Sequence, residues 1–235
     1  MSFHFVWHLL YRRLAFLFDL ATGFVSGGNW RAWGRTSMTY LRDGRVLELA
    51  HGPGHLLISL KRSGYQPFGI DLSSSMGKQA ARRLRRAGCK VPLVRCRAQS
   101  LPFRTGSFDD VIATFPTDYI LDPDTISEVA RVTSGRGRLI IVAGGQKDGD
   151  RPNPHFLDWL SKMTRRTGPS SDSVFQRAGM RVHFEWQPVE GGLAILIIAE
   201  KKDPLDRKAA AMSEKTSGPT KTDGLSTFVL PPSEN

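Results

Sequence analysis

Two apolar runs, each closing near an acid and separated by a glycine turn and a helical pattern, constrain this chain more than any other feature. Val46-Leu47-Glu48-Leu49-Ala50 leads into His51-Gly52-Pro53-Gly54-His55, and the next run closes at Gly69-Ile70-Asp71. That order is a βαβ unit with a ligand site at its strand ends. Glycines let the backbone come close to a bound nucleotide, and an acid on the second strand accepts hydrogen bonds from ribose hydroxyls. The interval from Gly52 to Asp71 fits the usual spacing of about 20 residues.

A Gly-x-Gly turn alone is compatible with a bare strand–turn–helix that holds nothing. The surrounding residues discriminate. A dinucleotide fingerprint wants a small residue three positions after Gly54, and Leu57 stands there. Glu48 lies on the strand itself, four residues before the first glycine. Its charge repels a pyrophosphate and favours a cofactor with cationic groups. S-adenosyl-L-methionine has an ammonium, a sulfonium and a ribose, and no phosphate.

At these residues the chain resembles the class I S-adenosylmethionine-dependent methyltransferases, whose first motif is an apolar strand, an acid and a Gly-x-Gly. The resemblance continues. Ala98-Gln99-Ser100-Leu101-Pro102-Phe103 followed by Ser107-Phe108-Asp109-Asp110-Val111 is similar to the type 11 branch that includes the ubiquinone and menaquinone C-methyltransferases. It implies cofactor contacts at Glu48, Ala50, Gly52, Gly54, Asp71, Leu72, Ala98, Gln99 and Phe115, with Asp71 on the ribose and Ala98 and Gln99 beside the adenine. It also implies an α/β fold: a Rossmann-like, seven-stranded, mostly parallel sheet with helices on both faces, its last strands forming an antiparallel hairpin. The resemblance runs from about residue 45 to 201.

Periodicity supplies the remaining elements. Ile126, Val129, Ala130 and Val132 place a helix over 122–133, which Ser134-Gly135-Arg136-Gly137 is expected to end. Arg138 to Ala143 reads as a fifth strand, nearly all apolar as expected when both faces are covered. Residues 181–186 and 193–200 read as the last two strands. His51 stands where the family commonly has a small residue or Cys, and reads as a turn residue without an evident partner. Pro53 stiffens the loop by fixing φ.

The ends of the chain differ in character. Residues 1–43 read as a helical cap that builds the acceptor pocket: an aromatic-rich helix over 3–25, a break at Gly27-Gly28, and a second helix over about 29–41. Tyr11, Trp30 and Trp33 are candidate pocket aromatics, with ordinary helix packing as the plainer reading. Residues 44–201 read as the cofactor-binding domain. After Lys202, Ser, Thr, Lys, Gly and Pro dominate, and too little is apolar to offset the entropy of ordering, so 202–235 is expected to be a disordered tail.

Charge is uneven. The net formal charge is +11, and no acid lies between Asp71 and Asp109, where Lys78, Arg82, Arg83, Arg85, Arg86, Lys90, Arg95, Arg97 and Arg104 stand. A solvated helix face over 78–90 is the plain reading; contact with anionic lipid or RNA is the functional one. Cys89 and Cys96 do not have zinc spacing and read as reduced, structural residues, so no metal is expected. No run reaches the roughly 20 apolar residues of a membrane span. The expected location is cytoplasmic, with peripheral membrane contact through 3–25 and the basic helix.

The chemistry expected is methyl transfer to a small or lipid-like acceptor, quinone-type acceptors included. An RNA-directed methyltransferase and a non-catalytic cofactor-binding module are the alternatives. Phe115-Pro116-Thr117-Asp118-Tyr119 follows the fourth strand, where the acceptor should sit. Asp118 and Tyr119 are the candidate catalytic residues, to orient the acceptor or take its proton. Asn-Pro-Pro-Tyr, the signature of amino methylation on nucleobases, is absent.

Overall fold

A computed structural model describes residues 30–147, 174–190 and 192–201. The expected helix over 3–25, Tyr11 and the expected tail at 202–235 lie outside the described residues.

The described elements in chain order are α1 (Trp30–Thr36), β1 (Arg45–Leu49), α2 (His55–Arg62), β2 (Gln66–Ile70), α3 (Ser74–Arg86), β3 (Leu93–Val94), β4 (Phe108–Thr114), α4 (Pro123–Val132), β5 (Thr133–Lys147), α5 (Val174–Arg177), β6 (Met180–Val189) and β7 (Gly192–Lys201). Short 3-10 turns at Ser37–Tyr40 and Asp118–Leu121 join them. One seven-stranded sheet has the order β3-β2-β1-β4-β5-β7-β6. Only β7 runs against its neighbours. The expected sheet and its antiparallel final pair are both present.

The chain leaves β1 for β2 on one side and later returns to β4 on the other, so the strand order reverses between β1 and β4. Ligands of open α/β sheets bind beyond such a reversal, at the carboxyl ends of the strands. The central strands are buried on both faces. Leu47, Leu49, Val111, Ala113, Leu139 and Ile141 face one core, with Ile126, Val129 and Val132 of α4 packed there. Val46 and Ile112 face the opposite side under Leu56 and Leu60 of α2. Burial at these positions is close to complete, so each large apolar side chain stabilises the fold by roughly 1.5–3 kcal/mol.

Near the start of β4, away from the carboxyl ends of the strands, Asp110 is fully buried. Its carboxylate accepts the Arg42 N–H at 2.7 Å and the Arg138 N–H at 3.0 Å. The neighbouring Asp109 accepts the Arg45 N–H at 2.8 Å. These two acids anchor the approach to β1 and the bulged start of β5.

Two elements differ from expectation and a third is unusually short, each for an identifiable reason. The helix expected over 29–41 is α-helical only to Thr36. There Thr36 Oγ1 donates to the Trp33 carbonyl and Ser37 Oγ to the Gly34 carbonyl, at 2.5 and 2.7 Å, and such side-chain bonds compete with helical ones. The third strand pairs over two residues only, because it is an edge strand preceded by Pro92, which has no N–H to offer. The Ser134–Gly137 segment does not interrupt the chain between helix and strand. It lies within β5, between the pairings Phe108↔Thr133 and Asp110↔Arg138, where the register shifts.

Candidate cofactor and acceptor site

The site gathers at the carboxyl ends of β1, β2 and β4. Two non-glycine residues there have left-handed backbone: Ala50 after β1 and Phe115 after β4, each with φ of 49°. Such conformations cost about 1–3 kcal/mol and persist where surrounding structure enforces them, commonly at functional sites. Phe115 is held by its N–H, which donates to the Val142 carbonyl at 2.8 Å.

The loop after β1 is fastened from several sides. The His51 N–H donates to the Ile70 carbonyl at 3.0 Å, and the Gly54 N–H to the His51 carbonyl at 3.0 Å. Gly54 has φ of 79°, and a Cβ there would stand 2.9 Å from that of Ala80, so α3 closes over this glycine. Arg83 of α3 donates to the Pro53 carbonyl at 2.5 Å. Asp71 accepts the Gly52 N–H through Oδ2 at 2.9 Å and the Ser73 N–H through Oδ1 at 2.7 Å. The Gly52 and Gly54 amides are thus engaged within the protein. A pyrophosphate would need such N–H groups free. The spacing of the glycines alone does not show that engagement.

Glu48 is 2% exposed, and its Oε2 has no hydrogen-bond partner. Burial, and then the Asp71 charge, hold its carboxyl well above the usual range. A buried acid beside a second acid, with an oxygen unpartnered, suits a cationic ligand and opposes an anionic one. Asp71 has one N–H on each oxygen, which leaves lone pairs for ribose hydroxyls. The adjacent Leu72 is 58% exposed and offers an apolar edge next to that acid. These features fit S-adenosylmethionine.

His51 differs from its reading as a turn residue without a partner. It is buried, and its Nδ1 lies 2.7 Å from the Gly52 carbonyl, which only accepts, so that nitrogen carries a proton. Burial pushes the imidazole below its ordinary value, with Asp71 opposing. Its ring occupies the space that Gly69 leaves: a Cβ at residue 69 would stand 2.8 Å from His51 Cδ2 and 2.9 Å from Leu57 Cδ1. Gly69 on β2 therefore admits both the histidine and Leu57. Close helix–strand packing is achieved with the glycine on the strand rather than on the helix.

The other expected residues occupy distinct places. Ala98 is 9% exposed, in the core. Gln99 donates to Asp122 Oδ2 at 3.0 Å. That bond, and then the Asp124 N–H, hold Asp122 below its ordinary value while it caps α4. Asp118 is exposed at the start of its 3-10 turn, whereas Tyr119 packs against the main core. Trp33 is buried against β5, where a Cβ on Gly145 would stand 2.4 Å from its ring. It shares a cluster with Ile140, Val142 and the half-buried Phe115. Nothing further is described for the side chain of Trp30. Among the described residues no group of three or more His, Cys, Asp or Glu is arranged to hold a metal.

Comparison with known proteins agrees with this geometry. Residues 46–137 match the family described as a methyltransferase domain. A ubiquinone/menaquinone biosynthesis C-methyltransferase of Paraburkholderia phymatum is 30% identical over 140 residues, which are 57% of this chain and 58% of that protein. A demethylmenaquinone methyltransferase of Thermus thermophilus is 29% identical over 139 residues, 57% of this chain and 63% of that one. The chain thus spans about three-fifths of these relatives' length. Among solved structures, a SAM-dependent methyltransferase of Aquifex aeolicus superposes with a TM-score of 0.56 at 17% identity, covering 72% of this chain and 89% of that one. A geranyl diphosphate C-methyltransferase of Streptomyces coelicolor, in complex with S-adenosyl-L-homocysteine, gives 0.53 at 16%, covering 72% and 79%. Residues 46–137 thus match a methyltransferase domain, in a fold shared with solved S-adenosylmethionine-dependent methyltransferases.

Proposed function

We propose that this protein transfers a methyl group from S-adenosylmethionine to a small, apolar acceptor of the quinone type. The observation that carries the donor side is Glu48: a buried carboxylate with an unpartnered oxygen, beside a glycine loop whose Gly52 and Gly54 amides are already engaged. Glu48 attracts the cationic part of the donor, and Asp71 receives its ribose hydroxyls. Leu72, Ala98 and Gln99 border the adenine. Ala50, Gly52 and Gly54 bring the backbone close, and Phe115 closes the opposite side.

Bound there, S-adenosylmethionine supplies an activated methyl carbon with a neutral thioether as leaving group. The protein excludes water and holds the acceptor atom in line, about 3 Å from that carbon. Trp33 and Phe115 form an apolar wall for the acceptor at the ends of β4 and β5. Where the acceptor must lose a proton, Asp118 takes it, since this carboxylate is exposed; Tyr119, packed on the core, positions the turn that carries it. The quinone-type acceptor is supported by two relatives, one named a ubiquinone/menaquinone biosynthesis C-methyltransferase and the other a demethylmenaquinone methyltransferase.

The test is incubation with methyl-labelled donor and a chemically reduced prenyl naphthoquinone. Label recovered on the ring carbon supports the reading. A protein that binds the donor but labels only other acceptors, such as RNA, overturns the acceptor assignment.

A further inference from the structure

The exposed face of α3 has no part in the site described above, and its composition is unusual for a helix that merely faces water. Met76, Ala80 and Leu84 turn inward and are buried. The opposite face exposes Lys78, Arg82, Arg85 and Arg86, and Lys90, Arg95 and Arg97 continue the exposed strip onto the adjoining edge of the sheet. No acid occurs between Asp71 and Asp109. Lys78, Arg85, Arg86 and Lys90 form no ion pair among the described residues.

The helix alone does not account for this arrangement. Arginines in the last turn complement the carboxyl end of a helix. Lys78 and Arg82 lie away from that end, so the helix dipole does not call for a cation at either. Lys78 and Arg82, and then Arg82 and Arg86, are like charges four residues apart, a spacing that weakens a helix. Glutamate at residue 82 would have made both pairs attractive.

We propose that the α3 face and the β3 edge form a docking surface for an anionic lipid bilayer. The strip lies on the outer face of a helix and a sheet edge. Two observations favour lipid over RNA. No aromatic residue occurs between 74 and 97, so the stacking platforms that hold single-stranded nucleic acid are missing. The apolar acceptor proposed above is stored in bilayers; in this one respect the inference rests on the proposed function. Each exposed cation near an anionic leaflet contributes about fivefold to partitioning, and the effect fades within a Debye length of about 8 Å at physiological salt.

The experiment is sedimentation of the full chain with vesicles of phosphatidylcholine, with and without phosphatidylserine, at low and physiological salt. Binding should require phosphatidylserine and weaken with salt. The triple variant Lys78→Gln, Arg82→Gln, Arg86→Gln should partition about 100-fold less, while its calorimetric affinity for S-adenosylhomocysteine stays unchanged, which also shows that it is folded. Equal partitioning of the variant, or equal binding to neutral vesicles, overturns the inference. So does tighter binding to poly-uridine RNA than to anionic vesicles at the same ionic strength. None of these readouts involves methyl transfer, so failure here leaves the proposed reaction standing, and failure of that reaction leaves this surface testable.

Discussion

Asp71 accepts the Gly52 N–H at 2.9 Å, joining the end of β2 to the turn after β1 across a sequence separation of 19 residues. The same carboxylate receives the Ser73 N–H at 2.7 Å. One side chain therefore shapes the glycine turn and, in the proposed site, receives the ribose. Asp71→Ala should remove both functions. Affinity for S-adenosylhomocysteine should fall at least about 100-fold, since hydrogen bonds to a charged group contribute about 1.5–3 kcal/mol each. Calorimetric titration checks this, and an unchanged affinity removes Asp71 from the site.

Glu48 predicts a pH dependence. Its folded-state carboxyl lies well above 4.5, chiefly through burial. Between its unfolded and folded values the folded protein therefore binds more protons than the unfolded one, and stability declines as pH rises through that window. Glu48→Gln should flatten the decline and unfold at higher denaturant than wild type at pH about 8, while binding the cationic donor more weakly. Denaturant midpoints measured across that range decide it; a wild-type slope retained in the variant would assign the decline to other groups.

The left-handed backbone of Ala50 makes a separate prediction. Ala50→Gly relieves a Cβ strain of about 1–2 kcal/mol, less the greater freedom of glycine in the unfolded chain. A net gain of about 0.5–1 kcal/mol should raise the thermal midpoint by roughly 1–4 °C. An unchanged or lower midpoint would show that the loop compensates for the strain.

Asp110 provides a contrast far from the ligand. Asp110→Ala leaves the part-buried Arg42 and Arg138 amides without their acceptor. Stability should fall by about 2–4 kcal/mol, since each unsatisfied buried donor costs about 1–3 kcal/mol. Affinity for S-adenosylhomocysteine in the folded fraction should be unchanged. A large loss of affinity at unchanged stability would contradict this division between anchor and site.

The sheet was legible where strands are apolar on both faces, as in Val46–Leu49 and Leu139–Val142, because such runs leave few other folds open. The start of β5 was less legible. Ser134-Gly135-Arg136-Gly137 has the composition of a turn, and only pairing with β4 and β7 on either side carries the strand through it. Within the site, residue types and order pointed to Glu48, Asp71 and the glycines. They did not show that Asp71 engages the Gly52 amide, nor that His51 fills the space above Gly69. Both relationships join residues 18 or 19 positions apart, and no local period records them. An unusually large residue in the glycine turn, together with a glycine inside β2, was the available signal for the second.

The central claim is that this site binds S-adenosylmethionine, and its demethylated product tests that without any assumption about the acceptor. Calorimetric titration of the full chain with S-adenosylhomocysteine should give saturable binding that Asp71→Ala abolishes or weakens at least about 100-fold. A folded protein that takes up no S-adenosylhomocysteine, or that binds a pyrophosphate dinucleotide in its place, would contradict the account.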